Sequence, residues 1–131
     1  MAFHDFTTMP IWQKGLKLLV KVYQITQRFP VEEKFGIVAD MRRSANSVIH
    51  NVAEGFGRFE KKDKTRFYKI SRGSAYEIIS QVFASHALSY LPLEEKEYLI
   101  ENYKEINDEE DRLIKSLESS TITKSDRHTY P

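Results

Sequence analysis

The chain has no cysteine, few glycines and prolines, and no long apolar run. Its 131 residues include 5 Gly and 4 Pro, and 40% of them are hydrophobic. The lack of cysteine excludes a disulfide framework, a thiol nucleophile and Cys-ligated zinc. Apolar runs such as Leu18-Leu19-Val20 are far shorter than the roughly 20 residues that cross a bilayer. The composition therefore indicates one globular domain, large enough to fold around an apolar core without a disulfide or a metal.

The first fifteen residues lack the pattern of a secretory leader. They contain no charged stretch followed by roughly 7–15 apolar residues. Charged residues of both signs make up 30% of the chain, which argues against a membrane protein. We therefore expect a cytoplasmic protein with no membrane partner.

Apolar residues recur at helical spacing in the first half of the chain. Steps of three and four residues predict helix one over 10–28, and the Phe29-Pro30 pair ends it because the residue before proline avoids the helical region. A second helix is predicted from about Glu32 to about Ala53. Gly55 and Gly57 follow its last apolar turn, where a left-handed helix end favours glycine.

The second half of the chain predicts two more helices. Asp63 is a plausible N-cap for helix three, which is apolar on more than one face and is expected to reach about Ser89. A helix of that kind is either central in a core or shared with another subunit. Helix four follows from Glu94, and residues 119–131 are expected to be a disordered tail. With short connections, these elements predict an all-α, antiparallel, up-down-up-down four-helix bundle over residues 1–118.

Charge is distributed unevenly, although the net charge is only +1. Residues 42–72 carry a net charge of +6, and residues 93–118 carry −6. The two regions are either solvated faces that attract each other within the bundle or between subunits, or the first is a basic patch for phosphates, with nearby aromatic rings for stacking. The candidate phosphate-binding residues are Arg42, Arg58, Lys61, Lys62, Lys64, Arg66 and Lys69.

A polar stripe follows helix two and is matched by polar residues on helix three. Buried charges must be paired, so a facing Arg–Glu network would fix the register of the two helices. The members of this predicted structural network are Arg43, Asn51, Glu54, Glu77 and Gln81. Alternatively, Glu54 is a general base or a metal ligand with His50, but no second His or acidic residue repeats the spacing. We therefore predict no catalytic residue, no metal and no cofactor.

Five ordered motifs carry a resemblance to a known family. They are Ile11-Trp12-Gln13-Lys14, the turn from Phe29 to Gly36, Met41-Arg42-Arg43-Ser44-Ala45, the run from Asn51 to Arg58, and Arg72-Gly73-Ser74 with Glu77 and Gln81. Over about residues 3–118 the chain resembles the bacterial four-helix bundle proteins first recognised as reading frames inside intervening sequences of large-subunit ribosomal RNA genes. The resemblance implies the same fold that the apolar spacing predicts.

The chain is also similar to the accessory protein of diversity-generating retroelements. That protein shares the bundle, assembles as a ring of five and binds nucleic acid through a basic surface. The resemblance therefore implies a homo-oligomer, a pentamer, with RNA or DNA or a nucleic-acid-processing protein as partner, and it does not imply an enzyme. The alternative is a protein-interaction scaffold without a nucleic-acid partner, in which the regions of opposite charge close the ring.

Overall fold

The computed structural model describes residues 5–129, and the side chains of residues 5–119. Short 3-10 turns at Phe6–Thr8 and Val31–Glu33 precede the first and second of four α-helices. The helices are α1 (Pro10–Thr26), α2 (Ile37–Phe56), α3 (Lys61–Ala87) and α4 (Leu93–Thr129). Residues 5–129 contain no strand, so the all-α, four-helix prediction is confirmed.

Side-chain pairs show that neighbouring helices run antiparallel. From α2 to α3, Ser44 bonds to Glu77 while Ser47 bonds to Ser74, so numbers rise along one helix as they fall along the other. From α1 to α4, Arg28 pairs with Glu95 while Lys14 pairs with Glu105. This crossing of numbers is what an up-down-up-down bundle requires.

The junction between α2 and α3 differs from the prediction at both glycines. Gly55 lies inside α2, and Gly57 ends it with a φ of −75°, so neither is left-handed. A Cβ on Gly55 would lie 2.7 Å from a ring carbon of Tyr68 on α3. The predicted left-handed end is therefore wrong, and Gly55 is needed because α2 and α3 pack closely at this turn.

The start of α3 also differs from the prediction. The N-cap is Glu60, which makes no side-chain capping bond, and Asp63 lies within the first helical turn. The other end comes at Ala87, after which Ser89 adopts a positive φ of 65°. The amide of Tyr90 then donates to the Ser85 carbonyl at 2.9 Å, which satisfies one of the last carbonyls of the helix.

The apolar core runs the length of the bundle and takes up most of α3. Tyr68, Ala75, Ile78, Ile79 and Val82 are all buried between the neighbouring helices of the same chain. The large apolar residues that stay exposed on this helix are Ile70, Tyr76 and Phe83. The position of α3 in the core therefore accounts for many of its apolar residues without a second subunit.

Two further expectations concern the ends and the surface of the chain. The backbone of residues 119–129 belongs to α4, whereas the side chains after residue 119 lie outside the described ones, so the disordered tail over 119–131 stays a prediction. Within the part of the chain that the structure describes, no helix combines the length and the apolar character needed to cross a membrane.

Candidate nucleic-acid interface

The α2–α3 junction places an aromatic ring among cations at one end of the bundle. Phe59, in the four-residue turn, is 97% exposed. We call this region the basic end and define it by the cations of the turn and of the first three turns of α3. They are Arg58, Lys61, Lys62, Lys64, Arg66 and Lys69.

Two of these arginines share a ring and a counter-ion. The guanidinium carbons of Arg58 and Arg66 lie 4.6 Å and 4.4 Å from the centroid of the Phe67 ring. Asp63 pairs with Arg66 at 3.2 Å and with Arg58 at 3.9 Å, and Arg58 also bonds to Glu54 at 2.9 Å. Stacking and pairing therefore hold both guanidinium groups next to the turn.

Lys64 has a structural role within the basic end. Its ammonium group donates to the carbonyl oxygen of Phe56 at 2.7 Å, at the C-terminus of α2, where cations are favourable. Burial lowers the pKa of Lys64, as expected for an ammonium group partly removed from water. Lys64 therefore caps α2, which leaves fewer of its donors for a phosphate, and its predicted phosphate contact stays a prediction.

Arg42 does not belong to the basic end. Its Nε donates to the Thr26 hydroxyl at 3.0 Å, and its guanidinium carbon lies 4.4 Å from the centroid of the Tyr23 ring. Arg58 follows sixteen residues later, which is about 24 Å along a helix at ~1.5 Å per residue. The grouping of Arg42 with the other candidates is wrong, since a linear charge count does not distinguish the two ends of a helix.

The charge of the basic end is partly neutralised within the chain. Six cations are accompanied by four carboxylates, which belong to Glu54, Glu60, Asp63 and Glu118. Lys69 bonds to Glu118 at 2.8 Å, and further along α3 Arg72 bonds to Asp111. Part of the attraction between basic and acidic regions therefore occurs between α3 and α4 of one chain, and the net charge left at the basic end is small and positive.

The predicted polar network between α2 and α3 is not formed by its charged members. Arg43 is exposed and bonds to Asp40 at 2.7 Å, and Glu54 is exposed and bonds to Arg58. Both lie at the edge of the α2–α3 contact, where water solvates them, so the prediction of a buried Arg43–Glu54 network is wrong within the single chain.

The remaining members of that network have separate roles. Glu77 accepts from the Ser44 hydroxyl at 2.9 Å, and Asn51 donates to the Ser47 carbonyl within α2. Gln81 has a buried oxygen without a partner among the described residues. Serine hydroxyls, rather than an Arg–Glu pair, therefore link α2 to α3.

A buried polar cluster on α4 was not among the predicted sites. Glu110 is wholly buried, and its Oε1 lies 3.0 Å from the Ser71 hydroxyl of α3. One and two helical turns earlier, Asn107 and Tyr103 are also buried. Within the described residues, four atoms of this cluster have no hydrogen-bond partner: Glu110 Oε2, Asn107 Oδ1, Asn107 Nδ2 and the Tyr103 hydroxyl.

Burial raises the pKa of Glu110 to about 8 from its ordinary value of 4.5. The Ser71 hydrogen bond and the charge of Arg72 lower it, and the charges of Asp111 and Glu109 raise it further. Burial likewise raises the pKa of the Tyr103 phenol. The sequence holds a signal for this site, because Glu110 lies four residues after Ile106 and four before Ile114, in phase with the buried face of α4.

The fold and its motifs agree with a described protein family. The model of the family described as 23S rRNA-intervening sequence protein matches residues 7–109. The chain belongs to that family. The match extends from the first 3-10 turn to the middle of α4 and ends one residue before Glu110, so this family assignment rests on the bundle and on the basic end.

A solved structure has the same fold. It is the crystal structure of a protein with unknown function from the S23 ribosomal protein family of Bacteroides thetaiotaomicron VPI-5482. The TM-score is 0.73 at 20% sequence identity, and the match covers 80% of this chain and 98% of that chain. At this identity the likeness supports the fold alone. No curated protein matches the chain.

The histidine and carboxylate side chains in this intervening-sequence family member do not form a metal site within residues 5–119. No group of three potential ligands occurs there. His50 lies four residues before Glu54, and its Nε2 is 3.2 Å from the Asn46 side-chain oxygen. Glu54 bonds to Arg58 instead. The pairing of His50 with Glu54 that the spacing allowed is not formed.

Proposed function

We propose that this chain is a non-enzymatic, cytoplasmic helical bundle that binds single-stranded RNA or DNA at its basic end, without sequence specificity. The observation that carries the proposal is the nearly complete exposure of Phe59 beside Arg58, in a turn that ends against the cations of α3. A phenylalanine in this position contributes little to the core. Its ring is available to stack on an unpaired base, which is typically worth about 1–3 kcal/mol per base.

We propose that the cations of the basic end contact the backbone of the same strand. The side chains of Arg58, Arg66 and Lys69 are 40–58% exposed even within their ion pairs. Exposed ion pairs contribute about 0–1 kcal/mol, so a phosphate can replace a carboxylate partner at little cost. A groove lies along α3 next to the turn. Its charged lining residues are three cations, Lys62, Arg66 and Lys69, and three carboxylates, Glu60, Asp63 and Glu118.

The binding should not depend on base sequence. Phosphate contacts fix the position of a strand without reading it, and stacking accepts any base. The description of the family refers to 23S rRNA, which supports RNA as the first ligand to test.

We also propose a homo-oligomer, and a pentamer on the resemblance to the retroelement accessory protein. Val20 on α1 and Tyr76 and Phe83 on α3 are each about half exposed, and such side chains are enriched at subunit interfaces. In an oligomer the basic end is repeated, so weak contacts along one strand would add as multivalent binding. Light scattering coupled to size exclusion should report several times 15.4 kDa.

The second candidate is a protein-interaction scaffold without a nucleic-acid partner. The observation in its favour is the internal pairing of the basic end, where Asp63 and Glu118 already neutralise arginine and lysine side chains. In that case the exposed apolar residues of α1 and α3 would bind a partner protein.

Fluorescence anisotropy with a labelled single-stranded RNA and the matching duplex separates the two candidates. At about 50 mM salt and micromolar protein, the single strand should bind, and the duplex should bind more weakly because its bases are not free to stack. Phe59→Ala should weaken single-strand binding about tenfold and leave the helical content unchanged. No binding of either RNA, or of single-stranded DNA, would favour the scaffold.

A further inference from the structure

The contacts of Ser71 require two protons, and serine supplies only one. Its Oγ lies 2.7 Å from the Val48 carbonyl oxygen of α2 and 3.0 Å from Glu110 Oε1 of α4. Oxygen atoms at these distances need a proton between them. The Ser71 hydroxyl can donate to one neighbour only, so with an ionised Glu110 one of the two contacts would lack a proton.

A protonated Glu110 completes this arrangement. Its carboxyl O–H donates to Ser71 Oγ, and the Ser71 O–H donates to the Val48 carbonyl, so one chain of hydrogen bonds links α4, α3 and α2. The geometry is then satisfied without a counter-ion at this point of the core. A charged carboxylate at the same place would be costly, because it accepts one bond at most and its Oε2 has no donor among the described residues.

From this geometry we propose that Glu110 is a proton-operated switch in the bundle. In the protonated form its carboxyl group closes α3 against α4 through Ser71. When the proton passes to the solvent, the carboxylate draws water or a cation into the core and loosens the contact between the two helices. The group titrates near neutral pH, in agreement with this arrangement, since burial raises its pKa to about 8.

The charged groups around Glu110 determine how the switch responds. From α3, Arg72 favours the ionised form, but its guanidinium group bonds to Asp111 at the surface. From α4, Asp111 and Glu109 favour the protonated form. Also from α3, Tyr68 is buried nearby, and burial together with the Glu110 charge raises its pKa to about 12, so it stays neutral as Glu110 titrates.

The other two helices contribute no nearby charge that opposes the protonated form. The contact from α2 is the Val48 carbonyl, which is an acceptor and favours a proton. Two lysines of α1 reach α4: Lys14 is already paired with Glu105 at the surface, and the Lys21 ammonium group lies 5.8 Å from the centroid of the Tyr98 ring, three turns before Glu110. Arg72 is therefore the cation best placed to move toward an ionised Glu110. This movement would break its hydrogen bond to Asp111.

The first test is the titration of Glu110 itself in the full-length chain. In the ¹³C- and ¹⁵N-labelled wild-type chain, the side-chain carboxyl resonance of Glu110, assigned through its bonds to its own backbone, should titrate between pH 7 and 9. A Glu110 resonance that titrates below pH 6 would overturn the proposal, and this measurement needs no folded variant.

The second test is amide hydrogen exchange, corrected for the intrinsic effect of pH. In the wild-type chain, protection of the α3 and α4 amides near Ser71 and Glu110 should fall by up to about tenfold per pH unit as the pH rises from about 5 to 8. Glu110→Gln should keep its protection across this range. The control is Asp108→Asn, which removes an exposed charge from the same helix and should behave as wild type.

The two tests together separate the possible outcomes. A loss of protection that persists in Glu110→Gln would show that another group opens the bundle, and the proposal would fail. If Glu110→Gln does not fold, the proposal is still tested by the titration and the amide exchange of the wild-type chain, with Asp108→Asn as the control. A Glu110 resonance that titrates below pH 6, or an exchange profile independent of pH, would overturn the switch.

Discussion

The basic end and the buried Glu110 cluster differ in how far water solvates their ionisable groups. At the basic end, six cations and four carboxylates lie at the surface, and each ion pair contributes little because both partners are solvated. At Glu110, one carboxyl group is removed from water and has a single protein partner. The charges of the basic end therefore contribute little to the stability of the fold and are the site of the proposed ligand binding, whereas the buried carboxyl group has a large effect on stability.

The largest expected effect is on the pH dependence of stability, which Glu110→Gln should remove. The pKa of Glu110 is raised to about 8 in the folded chain and returns to about 4.5 on unfolding, so unfolding releases a proton between these values. Its contribution is fully present below pH 4.5 and is lost as the pH rises, by roughly 3 kcal/mol between pH 4.5 and 7. Urea unfolding of both chains at several pH values measures the difference. Equal pH dependence in the two chains would contradict the prediction.

Gly55→Ala should destabilise the contact that connects the two regions. The new Cβ would lie 2.7 Å from the Tyr68 ring, so α2 and α3 must move apart at a cost of about 1–3 kcal/mol. The matched control is Gly73→Ala on the exposed face of α3, where no atom lies within 4 Å of the added Cβ. That change should stabilise the helix by about 0.5–1 kcal/mol. Thermal unfolding measures the melting temperature of both variants, and equal shifts in the two would refute the steric explanation.

Lys62→Glu should weaken RNA binding by about 1 kcal/mol, because the change reverses a charge in the groove along α3. The melting temperature should stay constant, because the Lys62 side chain is exposed. The log-log salt slope should become shallower by about one unit. Lys104→Glu makes the same charge change on an exposed position of α4 and should have little effect on binding. Lys64 is left unchanged because it caps α2. Equal losses in both variants would indicate an effect of net charge alone.

The smallest expected effect is that of Asp63→Asn. It removes the counter-ion that Arg58 and Arg66 share, so both guanidinium groups become more available to phosphates. Affinity for single-stranded RNA should rise, by less than about 1 kcal/mol, and the free energy of unfolding should change by a similar small amount. Anisotropy and urea unfolding measure the two quantities. A loss of affinity would show that Asp63 positions the arginines rather than competing with the ligand.

The sequence predicts the fold well because the buried positions repeat at helical spacing. Leu99, Tyr103 and Ile106 are buried on α4 as their spacing indicates, and Pro30 and Pro92 lie in two of the three breaks between helices. The spacing does not give the distance between two helices. The close contact of Gly55 with Tyr68 is therefore visible only in the structure, and the sequence suggested a left-handed helix end instead.

The candidate site is predicted less well, because the type of a residue does not reveal its exposure. Arg43 and Glu54 share a face of α2, but that face reaches the solvent at both positions. Glu110 counted as one of ten acidic residues between 93 and 118, although its position in the repeat marks it as buried. Combining charge with helical phase would have identified Glu110, and the rise of ~1.5 Å per residue along the predicted second helix would have separated Arg42 from Arg58.

The capping of α2 by Lys64 has a consequence for the entropy of binding. The amides of Gly57 and Arg58 bond back into α2, the amide of Lys64 bonds to Glu60, and the Lys64 ammonium group reaches across the turn to Phe56. The short loop is thus fastened at both ends, and the backbone at Phe59 has little conformational freedom left to lose. In the proposed complex only the phenyl ring would have to be immobilised on the protein side, so the main entropic cost would be the ordering of the flexible strand itself.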